Sequence, residues 1–138
     1  LHETERVRTV WNVFVKVVSP FFFGGAFGFI FGILLITLFA VIFAYTSVPD
    51  TVMDLFVYGT VGLSALSSGF TALRVLKRDG MVNGLISGVI LFLIHATVGS
   101  FFGEGGVTKL LLFGAAELPL AALGGILSVN MGSKKSRT

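Results

Sequence analysis

Hydrophobic positions in this chain form four long runs that are separated by short polar breaks. The runs cover about residues 20–46, 51–76, 81–102 and 107–130. Each exceeds the roughly 20 residues that an α-helix needs to cross a hydrocarbon layer of about 30 Å. The pattern therefore predicts an all-α polytopic membrane protein, in which four transmembrane helices form a bundle with antiparallel neighbours.

A different periodicity precedes the first run. In residues 1–19 the apolar side chains recur at offsets of three and four, and charged or polar residues fill the rest of the helix circumference. The apolar set is Val7, Val10, Trp11, Phe14, Val17 and Val18. This pattern predicts an amphipathic N-terminal helix. Two interpretations stay open: an interfacial helix that lies among the lipid headgroups beside the bundle, or a docking helix for a partner protein.

Composition agrees with the bilayer as the solvent of the bundle. The chain is 54% hydrophobic and 12% charged, with a mean hydropathy of +0.95, whereas soluble domains average about 25% charged residues. No run resembles a cleaved secretory signal, so we expect all four to be permanent spans. Cysteine is absent, which excludes disulfides, thiol catalysis and cysteine-ligated metals.

Basic residues predict the orientation of the bundle, because Lys and Arg are retained on the cytoplasmic side during insertion. Nine of the ten fall on one side of the predicted topology: Arg6, Arg8, Lys16, Arg74, Lys77, Arg78, Lys134, Lys135 and Arg137. The tenth, Lys109, lies near the opposite side. We expect a multi-pass protein of the plasma membrane with both termini cytoplasmic. The basic tail, residues 131–138, favours anionic lipid, and topology explains its charge without nucleic acid.

Small residues recur every four positions in the predicted spans. The set is Gly24, Gly28 and Gly32 in the first, Ser64 and Ser68 in the second, Gly80, Gly84 and Gly88 in the third, and Ala121 and Gly125 in the fourth. In lipid, such stripes allow helix backbones to approach closely. They hold the four helices of one chain together, or they form contacts in a homo-oligomer or with other membrane-protein subunits.

Two ionisable residues lie deep within the predicted spans. At standard helical rise, His95 lies about 12 Å and Glu117 about 15 Å from the same non-cytoplasmic end. Such groups are costly in a bilayer and usually have a function or a partner. We expect the two side chains to face one another or to share a water. An ion pair would need further donors, for which the sequence offers Thr97, Ser64 and Ser68.

Pro119 adds a third feature to this place. Proline lacks the N–H that would bond the Ala115 carbonyl, and its ring crowds that carbonyl, so we expect a free acceptor beside Glu117 and a kink or a liganded carbonyl. His95, Glu117 and Pro119 together form a candidate proton or ion site. The structural alternative is a protonated Glu117 that hydrogen-bonds a neighbouring helix.

Other chemistry finds no support in the sequence. It contains no ligand spacing typical of a metal site, no nucleophile with a base and an orienting acid, and no phosphate-binding loop after a strand. We therefore expect neither an enzyme nor a bound cofactor or metal.

The passage SSGFTALRVLKRDGMVNGLISGVI and the later GGILSVN join a small-residue patch, a basic turn and a glycine-spaced helix. Over about residues 30–130 the chain resembles a bacterial family of small four-helix integral membrane proteins of unknown function. The resemblance implies fold and topology, and it attaches no activity.

Two functions follow as hypotheses. The first is a structural or accessory subunit that acts through helix–helix contacts and binds lipid or other membrane subunits. The alternative is an oligomeric ion- or proton-coupled transporter or channel that uses Glu117.

Overall fold

The computed structural model describes residues 2–102 and 106–134 and consists of four α-helices. They are α1, His2–Ala44; α2, Asp50–Leu76; α3, Gly80–Phe102; and α4, Val107–Lys134. All four are long and apolar enough to cross a membrane, and the described ranges contain no strand. The predicted fold class, an all-helical four-span membrane protein, is confirmed.

The turn between α2 and α3 is short and tightly bonded. α2 ends where Lys77 adopts a left-handed conformation (φ 51°) and donates its N–H to the Leu73 carbonyl at 2.9 Å. Asp79 is also left-handed, with φ 44°, and the Asn83 side chain donates to the Arg78 carbonyl at 2.7 Å. This turn reverses the chain within three residues, so α2 and α3 run antiparallel.

The first helix differs from the sequence-based expectation. We expected an interfacial helix to end at residue 19 and a span to begin at residue 20, but α1 runs without a break through Pro20. Its buried residues all lie between Pro20 and Gly32, so residues 2–19 extend past the bundle. The boundary is therefore a change in surroundings rather than a break in the helix. An interfacial location for residues 2–19 stays a prediction.

Six of the basic residues lie at the end of the bundle that carries the α2–α3 turn, namely Arg6, Arg8, Lys16, Arg74, Lys77 and Arg78. Lys109 lies at the other end, at the start of α4. Lys135 and Arg137, with the rest of the predicted tail beyond Lys134, fall outside the described residues. The described charges keep the asymmetry on which the predicted orientation depends.

The four helices do not surround a common axis equally. α2 and α3 contact each other, and each contacts both α1 and α4, whereas within residues 2–102 and 106–134 no Cα atom of α1 comes within 8 Å of one in α4. α2 and α3 therefore lie on the short diagonal of the bundle. α1 lies at one edge.

Small residues set the contact between α1 and α2. A Cβ added to Gly24 would lie 2.7 Å from the Ala72 Cβ and 2.7 Å from the Ser68 carbonyl oxygen. One added to Gly28 would lie 2.7 Å from the Ser64 carbonyl oxygen. Because the backbones are this close, the Ser64 hydroxyl donates across the interface to the Gly28 carbonyl at 2.5 Å. Gly32 continues the stripe opposite Ser64.

α4 lies equally close to α2 and α3. On the α3 side, added Cβ atoms at Gly80 and Gly84 would lie 2.9 Å and 2.6 Å from the carbonyl oxygens of Gly125 and Ala121. Gly88 meets the Ala121 side chain. On the α2 side, Gly69 faces the Ala121 backbone. All ten predicted packing residues thus lie at contacts between helices of one chain.

Candidate functional site

His95 of α3 and Glu117 of α4 lie in direct contact. His95 Nδ1 and Glu117 Oε1 are 2.5 Å apart in a hydrogen bond whose proton can come from either group. The Glu117 side chain is fully buried, and the His95 side chain retains 24% of its exposure. The structure therefore brings together the two intramembrane ionisable residues that the sequence placed at similar depth.

The packing of α3 against α4 explains this position. Gly84 and Gly88 bring the two helices close on the side of the α2–α3 turn. One turn further along, Gly114 of α4 accommodates the Phe92 ring of α3, whose edge would lie 2.9 Å from an added Cβ. The larger side chains beyond that point fill the space between the helices. His95 is one of them, and it reaches Glu117 across this interface.

A third helix completes the surroundings of the pair. The ring of Phe29 on α1 lies 5.5 Å from the His95 ring, centroid to centroid, at an interplanar angle of 54°. His95 thus contacts an aromatic ring on one side and a carboxyl group on the other. The pair joins α3 to α4 by a hydrogen bond, and it joins α3 to α1 by a ring contact.

One oxygen of the carboxyl group has no partner. Glu117 Oε2 is buried and makes no hydrogen bond within the described structure. An unpaired buried polar atom is costly, and an unpaired buried charge is more so. One proton shared between His95 and Glu117 leaves the pair neutral overall, whichever residue carries it. Chemically, the arrangement can share one proton between α3 and α4, and the exposed part of the His95 side chain is where the pair contacts its surroundings.

The three further donors offered by the sequence do not reach this pair. Ser64 donates to the Gly28 carbonyl at 2.5 Å, and Thr97 donates to the Leu93 carbonyl of its own helix at 2.7 Å. Ser68 shares a hydrogen bond of 2.8 Å with Ser87. None of the three hydroxyls is therefore a partner of the pair, because Ser64 and Thr97 donate to helix carbonyls and Ser68 bonds Ser87.

Pro119 does not join the pair either. α4 continues as a helix through it, and both Pro119 and Ala115 lie on the exposed side of α4, whereas Gly114, Glu117 and Ala121 lie on the buried side. The structure therefore places Pro119 and Ala115 on the opposite side of α4 from Glu117, and a free or liganded Ala115 carbonyl stays a prediction. Pro119 and Ala115 are four residues apart and share a face, and that face is turned away from the bundle interior.

Sequence reasoning missed the buried serine pair. Ser87 is fully buried and bonds Ser68 between α3 and α2. A signal was present, because Ser87 lies next to Gly88 and three residues after Gly84, on the face that the glycine stripe already marked. Ser128 of α4 was missed as well, and its buried hydroxyl has no hydrogen-bond partner among residues 2–102 and 106–134.

A metal site does not form around the pair. Among residues 2–102 and 106–134, no three His, Cys, Asp or Glu residues lie close enough together to hold a metal ion. His95 and Glu117 alone supply two ligands, fewer than a typical structural or catalytic metal centre uses.

Comparison with known proteins identifies the family. Residues 17–128 match a family described as a protein of unknown function, DUF3792. The chain belongs to the DUF3792 family. The DUF3792 match covers His95, Glu117 and every small-residue stripe, and it leaves residues 2–16 outside. No curated protein and no solved structure matches the chain. The resemblance to a family of unknown function is confirmed, and its bacterial origin stays a prediction.

Proposed function

We propose that this DUF3792 protein is a structural or accessory subunit of the plasma membrane that acts through helix–helix contacts and not as an enzyme. The observation that carries the proposal is the position of α1. It buries residues only between Pro20 and Gly32, although it is 43 residues long. α2 buries nine residues within its 27. Within its most apolar 18-residue stretch only 11% of α1 is buried, against 22% to 44% in the other three helices, so α1 is the helix with the most apolar surface free for another subunit.

The free surface of α1 lies in residues 33–44. Its outward side chains are large and apolar, and half or more of several is exposed: Leu34, Leu38 and Val41 are examples. Beyond Gly32, α1 contacts α2 through aromatic rings, since Phe39 and Phe43 pack against Phe56, and the outward side of α1 is left uncovered. This surface suits a helix of another subunit, of a second copy, or the lipid chains.

The close packing elsewhere favours binding over autonomous transport. At the glycines of α2, α3 and α4 the helix backbones contact one another directly through half of the bundle. A solvated path there would require the helices to separate. A role that keeps the bundle closed and uses its outer face requires no such opening.

The test is purification from the native membrane in mild detergent, followed by identification of what remains bound. A matched pair of variants locates the contact: Leu38 of α1 and Leu93 of α3 are 55% and 56% exposed. We expect a stoichiometric complex that Leu38→Trp disrupts and Leu93→Trp preserves. A homogeneous lone monomer from the native membrane would contradict the proposal, as would equal effects of the two variants.

The proposal includes both termini on the cytoplasmic side, because the basic residues gather at the end with the α2–α3 turn. The absence of native cysteine makes a single introduced thiol easy to follow. We expect Ser133→Cys to react with a membrane-impermeant reagent only after the cells are opened. Ser47→Cys, between α1 and α2, should react in intact cells, and the opposite pattern would reverse the orientation.

The buried pair supports a second candidate function, an oligomeric ion- or proton-coupled transporter or channel. The specific observation is a fully buried Glu117 with one oxygen on His95 and one without a partner. Intramembrane acids of proton pathways have such surroundings. Since the glycine contacts close one half of the bundle, a pathway would run along an interface between copies.

Proton movement into sealed vesicles tests this candidate. The purified chain, reconstituted with a pH-sensitive dye inside, should conduct protons down an imposed gradient, and Glu117→Gln should abolish the flux. Asp54→Asn, at an exposed carboxyl on α2, serves as the matched control and should leave the flux intact. Flux that survives Glu117→Gln would end the proton-carrier hypothesis.

A further inference from the structure

Residues 2–19 of α1, here called the N-terminal segment, form a helix that contacts little of the bundle. Its described side chains are exposed up to Val17, and the first buried residue of α1 is Pro20. At 1.5 Å per residue the segment extends about 27 Å past the bundle. The segment is nevertheless rich in apolar side chains, and Trp11 is 64% exposed. Such a surface is expected to be covered.

The apolar side chains of the segment form one wide arc. At 100° per residue they span about 200° of the circumference, from Val13 on one border to Val15 on the other. Arg8, Asn12 and Lys16 share the opposite side, whereas Glu3 and Arg6, near the start of the segment, fall within the arc. A single partner helix covers a much narrower stripe, such as the a and d positions of a coiled coil. An arc this wide fits a helix that lies half-immersed in a lipid surface.

The charge of the N-terminal segment and its continuity with the first span also favour a lipid surface as the partner. The segment carries three basic residues, Arg6, Arg8 and Lys16, and its two acidic residues, Glu3 and Glu5, both lie in its first turn, at the end far from the bundle. The nearest end of the bundle adds Arg74, Lys77 and Arg78. A basic surface at the level of the headgroups attracts anionic lipid. Because the segment continues directly from a transmembrane span, that lipid surface lies within its reach.

Pro20 marks where the segment can turn onto the lipid. Proline has no N–H for the Lys16 carbonyl, and its ring pushes that carbonyl away, so the helix opens on the side that Lys16 and Pro20 share. Trp11 and Val18 lie on the other side of the helix. A bend that opens at Lys16 and Pro20 closes toward Trp11. It therefore turns the apolar arc back toward the membrane.

We propose that α1 bends at Pro20 in a bilayer and that the N-terminal segment lies along an anionic lipid surface, with Trp11 immersed and Arg8 and Lys16 at the headgroups. The bundle side of the bend is fixed, because Phe21 packs with Ala72 and Leu73 of α2. The segment side is free to move. This inference concerns a lipid-binding surface and does not depend on the proposed accessory function.

Trp11 is the only tryptophan in the chain, so its fluorescence tests the proposal in the full-length protein. The chain is reconstituted into vesicles that contain anionic phospholipid, and quenching by bromine-labelled lipid is compared with quenching by aqueous acrylamide. We expect strong lipid quenching, protection from acrylamide and a blue-shifted emission. Full acrylamide quenching would overturn the proposal. Lipid quenching that disappears as the protein-to-lipid ratio rises would overturn it in favour of a second copy.

Three variants test separately how the bend at Pro20 and the basic side chains contribute to lipid contact at Trp11. Pro20→Ala restores the missing backbone bond, and we expect it to reduce lipid quenching of Trp11 and to increase acrylamide quenching. Pro119→Ala makes the same change in α4 and should leave Trp11 unaffected. Arg8→Gln with Lys16→Gln should reduce the difference between anionic and zwitterionic vesicles. Unchanged lipid quenching in Pro20→Ala would overturn a proline-centred bend.

Discussion

The two halves of the bundle are built differently. In the glycine-packed half, where Gly24, Ala72, Gly80 and Gly125 lie at similar depth, helix backbones approach until an added methyl group would collide with them. In the opposite half, here the His–Glu half, Gly59, Gly99 and Gly106 have nothing within 4 Å of an added Cβ. The only described contact between ionisable side chains buried in the bundle, His95 with Glu117, lies between these regions, on the His–Glu side.

This difference indicates that the glycine-packed half is rigid and that the His–Glu half has room for local rearrangement. Close backbone contacts forbid small displacements, since the helices meet through atoms that cannot rotate away. Larger side chains and free glycines permit local rearrangement. The polar pair therefore lies beside the part of the bundle that can adjust when a proton or a neighbour changes.

The largest expected effect comes from adding one methyl group to the glycine-packed half. A Cβ at Gly69 would lie 2.8 Å from the Ala121 carbonyl carbon. We expect Gly69→Ala to destabilise the bundle by about 3 kcal/mol, because the contact is with a neighbouring backbone. Gly99→Ala, in open space, should be neutral or stabilising, since alanine favours a helix over glycine. Reversible unfolding in mixed micelles measures both, and equal losses would remove the distinction between the halves.

The next effect concerns the pair itself. His95→Leu leaves both oxygens of a buried Glu117 without a partner, which should cost about 2 kcal/mol. The double variant His95→Leu with Glu117→Leu removes the orphaned group and should be more stable than His95→Leu alone. A double-mutant cycle on unfolding free energies gives the coupling energy. Additive losses would show that the two side chains do not depend on each other.

The smallest effect belongs to the serine pair. Ser68 and Ser87 share one hydrogen bond between α2 and α3, and such bonds in membrane bundles contribute about 0.6 kcal/mol on average. We expect Ser68→Ala and Ser87→Ala each to cost about that much and their combination to cost no more than the sum. A loss of unfolding free energy as large as that of Gly69→Ala would mean that polar contacts, rather than close packing, hold α2 against α3.

Much of the fold follows from the sequence because lipid leaves few choices. An apolar run of sufficient length must be a helix with its backbone bonds internal. The spacing of Gly24, Gly28 and Gly32 marks a contact face before any partner is known. Depth along a helix also placed His95 level with Glu117, because both distances count from the same end.

The features that the sequence did not predict depend on which way a side chain faces around its helix and on which hydrogen-bond acceptor lies nearest to a hydroxyl. The orientation of Pro119 around α4 decides whether it meets Glu117: the two are close in sequence, but they lie about 200° apart around the helix. The hydroxyls of Ser64 and Thr97 donate to nearby backbone carbonyls and not to the more distant Glu117 carboxyl group. The continuity of α1 through Pro20 was missed because a proline with mixed residues before it is more typical of a helix start than of a helix interior.

Solid-state NMR of the chain in lipid bilayers tests the central contact most directly. In a His2→Gln background His95 is the only histidine, so its ring nitrogens can be labelled without overlap. A through-space correlation between His95 Nδ1 and the Glu117 carboxyl carbon is expected, because Nδ1 and Oε1 lie 2.5 Å apart. Glu117→Leu should abolish it, and Asp54→Asn should leave it unchanged. A His95 ring with no correlation to Glu117 in the bilayer would contradict the account.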